Sequence, residues 1–76
     1  MYYLFVNKYD YKYYCNKSNN PDKSIERHFE VANDSTRKGY RTTFHKALRE
    51  EGKQSFNIYK LNQLPDWVER LGQYVE

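Results

Sequence analysis

Cysteine is nearly absent: Cys15 is the only one in 76 residues, so no internal disulfide can staple the chain. With just two histidines beside it, Cys15 cannot complete a four-ligand structural zinc site unless a carboxylate joins. No metal or other cofactor is expected, and the thiol reads as an apolar strand residue in a reducing cytosol. Long apolar runs are missing as well. Hydrophobic residues make up 38% of the chain and the mean hydropathy is -1.16, so no stretch approaches the roughly 18 apolar residues of a membrane span. No signal peptide follows Met1, which gives the expectation of an unexported, cytoplasmic protein without a membrane partner. Internal repeats and low-complexity segments are lacking too.

A mass of 9.3 kDa leaves room for one domain, residues 1–76, and excludes a two-domain enzyme. A globule of this size buries only about 60% of the surface its unfolded chain exposes, so its core must be rich in large side chains. Aromatics provide them: 18% of the residues, with nine Tyr, four Phe and one Trp. Lys and Arg number 13 against 10 acids, for a net charge of +3. The distribution matters more than the sum. Arg37, Lys38, Arg41, Lys46 and Arg49 fall in a stretch without an acid, whereas Leu61 to Glu76 carries three acids and only Arg70.

Tyr3-Leu4-Phe5-Val6, followed by Tyr9, Tyr11 and Tyr13 alternating with polar residues, predicts two strands joined as a hairpin, with Tyr9 and Tyr11 contributing aromatic core. Asn20-Pro21 then supplies an N-cap and a first helical residue, and Ile25, His28, Phe29 and Ala32 form one helical stripe that stops at Asn33-Asp34-Ser35. After a basic loop, Thr42 or Thr43 caps a second helix with Phe44, Ala47 and Leu48 inward and Gly52 at its end. Phe56, Ile58, Tyr59 and Leu61 predict a third strand. Pro65 opens a last helix with Trp67, Val68, Leu71, Tyr74 and Val75 on one stripe. The order ββααβα predicts an α+β fold, a small three-stranded antiparallel or mixed sheet flanked by helices, with Phe29, Phe56 and Trp67 buried in its core.

Three segments in this order resemble the GIY-YIG nuclease domain over roughly residues 1 to 61. Met1-Tyr2-Tyr3 and Tyr14-Cys15-Asn16 stand where the family has its two name motifs. Asn19-Asn20-Pro21 through Arg27-His28-Phe29 is similar to the turn and first helix, and Phe44-His45-Lys46 through Phe56-Asn57-Ile58 to the second helix and third strand. The resemblance implies that the first tyrosine, here Tyr3, handles water, that a helical arginine holds the scissile phosphate, and that a glutamate binds a divalent cation. The arginine position is Ser24, which carries no charge and makes no bidentate phosphate contact. Arg27 lies three residues on, about 300° around a helix. Where the glutamate should stand the sequence reads Pro65-Asp66-Trp67, leaving Asp66 or Glu69 as shifted ligands.

These departures predict a domain without catalytic residues that binds nucleic acid, DNA or RNA, through the former active-site cleft and the basic segment. The candidate contacts are Tyr3, Tyr14, Arg27, His28, Arg37, Lys38, Arg41, His45, Lys46 and Arg49, with the two tyrosines offered as stacking rings. One alternative is a protein-binding inhibitor or decoy acting on a nuclease or host-defence complex, of the kind small phage accessory proteins form, contacting its partner through the Trp67, Leu71, Tyr74, Val75 stripe. The other is an active magnesium-dependent endonuclease.

Overall fold

Alternation along the first apolar run sets the layers. In β1 (Tyr2–Asn7), Tyr3 and Phe5 project into one buried cluster while Leu4 and Val6 project into another, as the period-two geometry of a strand requires. The computed structural model of the protein describes residues 1–74. β1 lies antiparallel to β2 (Lys12–Lys17) on one side and to β3 (Phe56–Leu61) on the other, and β4 (Gly72–Gln73) adds to β2 in parallel. The sheet order is β3-β1-β2-β4. Two helices, α1 (Pro21–Ala32) and α2 (Thr43–Glu51), complete an α+β fold.

Both helices begin as their sequences suggest. Asn20 accepts from Lys23 N at 3.2 Å with Pro21 behind it, and Thr42 Oγ1 lies 3.4 Å from His45 N. α2 ends at Gly52, whose φ of 83° suits glycine. The helices pack on the Tyr3 and Phe5 side, where Phe44, Leu48, Ala32, Phe56 and Tyr74 close the core around Phe5. The other side holds a smaller cluster of Leu4, Val6 and Val68. Cys15 belongs to that second side, and its partial burial pushes the thiol pKa up, which favours the unreactive protonated form.

The end of the chain departs from the expectation. Instead of a helix running on from Pro65, residues Asp66–Arg70 form a single 3-10 turn, Leu71 is extended, and Gly72–Gln73 become the fourth strand. Gly72 is a poor helix former, and the edge of β2 offers the backbone a partner: Tyr74 N donates to Tyr13 O at 2.9 Å. The supposed stripe is therefore divided between the two sides of the sheet. Val68 packs on Leu4 and Val6, while Tyr74 crosses to Phe44 and Phe56 and accepts from Asn7 Nδ2 at 3.0 Å. Val75 lies outside the described residues. Trp67, expected in the core, is 39% exposed and rests edge-on against Tyr59. Phe56 is buried as expected; Phe29 is only partly so.

Tyr9 and Tyr11 are also corrected, at 75% and 63% exposed. The buried Asn7 side chain accepts from Tyr9 N at 2.8 Å, and Tyr11 N donates to Asn7 O with Tyr11 at φ 58°. This side-chain-capped turn takes up residues 8–11 before β2 begins at Lys12 and pairs with β1 from Tyr13, so the two rings point into solvent.

Candidate nucleic-acid interface

Packing of α1 on α2 brings the two histidines together over β1. Tyr3 Oη lies 2.8 Å from His28 Nε2, His28 Nδ1 lies 2.9 Å from His45 Nε2, and His45 Nδ1 lies 2.6 Å from Thr42 Oγ1. Thr42 Oγ1 in turn donates to the Gly39 carbonyl at 3.0 Å. That last contact assigns the direction of the whole row. A carbonyl only accepts, so the Thr42 proton is spent there and its oxygen accepts from His45 Nδ1–H. His45 Nε2 then accepts from His28 Nδ1–H, and His28 Nε2 accepts from the Tyr3 hydroxyl. In this arrangement each imidazole carries a proton on Nδ1 and accepts at Nε2.

The surroundings favour that state. Burial, together with the neighbouring His45 ring and the Arg27 charge, pulls the His28 pKa down to about 4. Burial and the neighbouring Tyr14 phenol hold Tyr3 well above the ordinary tyrosine range. The row is thus a lock that joins β1, α1, α2 and the loop that follows α1.

Tyr3 is not the stacking ring expected of it, and Tyr14 has one of its two faces covered. Tyr3 is 4% exposed, and Tyr14 is half-buried with its ring stacked on Phe44 at 4.3 Å between centroids. A face laid against the core is closed to a base. His45 is buried and His28 is half-buried, so both build the site from beneath. Ser24, which stands where the resemblance expects an arginine, shares its hydroxyl with Ser18 Oγ at 2.6 Å. Asp66 and Glu69 ride on the 3-10 turn whose Val68 packs against Leu4 and Val6, across the sheet from the Tyr3 and His28 row. Among the described residues, no three His, Cys, Asp or Glu side chains gather as a metal-ion site.

Above this lock the segment after α1 folds into an open cleft of about 450 Å³, lined by Arg37, Lys38, Tyr40 and Arg41 with Gly39 and Thr42, and with no acid in its wall. Gly39, at φ 96°, directs its carbonyl to Thr42 Oγ1, so the foot of the hydrogen-bonded row is also the wall of the cleft. Asp34 is the nearest acid in sequence. Its carboxylate accepts from Thr36 N and Oγ1 at 3.0 and 2.6 Å, contacts that lower its pKa and cap the turn entering the cleft.

Arg49 has a different part from the one expected. Its Nη1 donates to Ala32 O at 3.2 Å and to Tyr40 O at 2.8 Å, and its guanidinium lies 3.8 Å from the centre of the Tyr40 ring. It clamps the basic loop onto the end of α1. No family model, no curated protein and no solved structure matches the chain.

The ten candidate contacts therefore fall into separate places. Arg37, Lys38 and Arg41 are exposed around one cleft, with Arg49 holding that cleft in shape. Arg27 lines a shallow groove beside Lys23, Glu26 and Glu30, and Lys46 lines another beside Asp10, Glu50 and Glu51, both of mixed charge. Tyr40 stands among the cations of the basic run in the sequence itself, whereas two other site builders, Gly39 and Thr42, do not show there. Thr42 was visible only as a helix cap, and no local pattern shows that its hydroxyl also ends a chain begun at Tyr3.

Proposed function

We propose that this chain is a nucleic-acid-binding module on a GIY-YIG-like scaffold that lacks the family's catalytic groups, and that it binds through the cleft formed by Arg37, Lys38 and Arg41. The observation that carries the reading is the convergence of three exposed cations around one acid-free concavity, held rigid by Arg49 on one side and by the Thr42, His45, His28 row on the other. Closely spaced guanidinium and ammonium groups neutralise successive phosphates and release their counterions, which drives association. The aromatic centre of the resembled family serves here as the support of that cleft.

The nuclease alternative needs a phosphate-holding arginine and a carboxylate near Tyr3. Ser24 occupies the first position, and the fold carries Asp66 and Glu69 to the far side of the sheet. A protein-decoy reading through the C-terminal stripe needs a continuous helical face, and the turn and strand at residues 66–73 do not form one.

A gel-shift assay in low salt with magnesium tests the reading against the nuclease. Purified protein should retard a labelled single-stranded oligonucleotide and leave it full length. Absence of any shift would remove the proposal, and so would cleavage that vanishes in Tyr3→Phe.

A further inference from the structure

We infer that the cleft selects unpaired nucleotides by stacking one base on Tyr40, with Arg37, Lys38 and Arg41 holding the flanking phosphates; this rests on the nucleic-acid reading above and names its substrate class. Tyr40 is half-buried and lines the cleft, while one face of its ring is closed by the Arg49 guanidinium at 3.8 Å. Arg49 is itself fixed by two carbonyls, one of them from Tyr40, so ring and guanidinium form a rigid pair and the ring needs little ordering when a base arrives. A base laid on it completes a three-layer stack of guanidinium, phenol and base.

The surrounding chemistry suits a nucleotide. The phosphates on either side of a stacked base need cations a few ångströms away, and three basic residues within four positions of Tyr40 line the same wall. The volume, about 450 Å³, falls within the roughly 300–1,000 Å³ of small-ligand clefts and fits a splayed nucleotide. In a duplex the faces of the bases are taken by their neighbours, so only an unpaired residue can seat its ring there. Stacking is indifferent to the sugar, so DNA and RNA single strands are both substrates.

The test uses one labelled DNA strand, the RNA of the same sequence and the DNA annealed to its complement, titrated with wild type, Tyr40→Phe and Tyr40→Leu in low salt. Both single strands should bind more tightly than the duplex. Tyr40→Phe should match wild type, and Tyr40→Leu should weaken single-strand binding about 5- to 150-fold, the worth of one stacked base. A single strand carrying 2-aminopurine should lose fluorescence on binding wild type, a readout that stands even if Tyr40→Leu fails to fold. Equal affinity for duplex and single strand, unquenched 2-aminopurine, or a folded Tyr40→Leu protein with unchanged affinity would overturn the stacking inference while leaving nucleic-acid binding in place. No binding to any of the three probes would overturn both.

Discussion

Phe44→Ala should cost about 3–5 kcal/mol, enough to unfold most of the population of so small a domain. Phe44 is fully buried and stands where every element of the larger core meets. Its ring lies 5.0 Å from Phe5 of β1, 4.3 Å from Tyr14 of β2, 5.4 Å from His28 of α1, 6.3 Å from Phe56 of β3 and 5.5 Å from Tyr74 at the end of the chain. Truncation leaves a cavity that no single element can collapse into. Trp67→Ala provides the contrast, because a ring 39% exposed and touching Tyr59 edge-on gives up far less buried area. Urea melts of the two variants check this. A Trp67→Ala loss as large as that of Phe44→Ala would contradict the division of the core into two unequal clusters.

Acid should also weaken the fold, and by a margin attributable to one residue. An unfolded His28 takes up its proton near pH 6.5, whereas in the folded protein it does so at about 4. Between those values the unfolded chain binds more protons, so stability is complete above pH 6.5 and falls as the pH drops towards 4. The loss is at most about 3 kcal/mol, less whatever solvent around the half-buried ring screens. The groups facing His28 are Tyr3 from β1, Tyr14 from β2, Arg27 from its own helix and His45 from α2; none is a carboxylate that would stabilise the imidazolium. Chemical denaturation at several pH values should show a steeper decline between 6.5 and 4.5 for wild type than for His28→Gln. Equal slopes would mean that the row is open to water and not the lock described.

Much of the fold could be read locally because its signals are local. Asn20-Pro21, Thr42 and Gly52 act on the residues beside them, and the stripe of Ile25, His28, Phe29 and Ala32 needs only helical periodicity. Failures came where a distant partner decided. Trp67, Val68, Leu71 and Tyr74 are spaced for a helix, but Tyr74 gains a hydrogen bond to Tyr13 and a place beside Phe44 that a continuous helix would forgo. Tyr9 and Tyr11 alternate like strand residues, yet the side chain of Asn7 captures the backbone first. The site shows the same division. The basic run was plain in the sequence, while the pairing of His28 with His45, seventeen residues apart, exists only once α1 packs on α2. Arg49 looked like one more surface cation because its two carbonyl partners, Ala32 and Tyr40, lie on a helix end and a loop that only the tertiary fold brings to it.

The central claim, that the cleft of Arg37, Lys38 and Arg41 is where nucleic acid binds, is tested most directly by the salt dependence of single-strand affinity. Log K for wild type should fall linearly with log salt. Replacing all three cations by alanine should weaken binding and flatten the slope by about two, at roughly 0.7 per phosphate contact on a single strand. The melting transition should stay where it was, because exposed cations contribute little to stability. An unchanged affinity and slope in the folded triple variant would place the interface elsewhere and contradict the account.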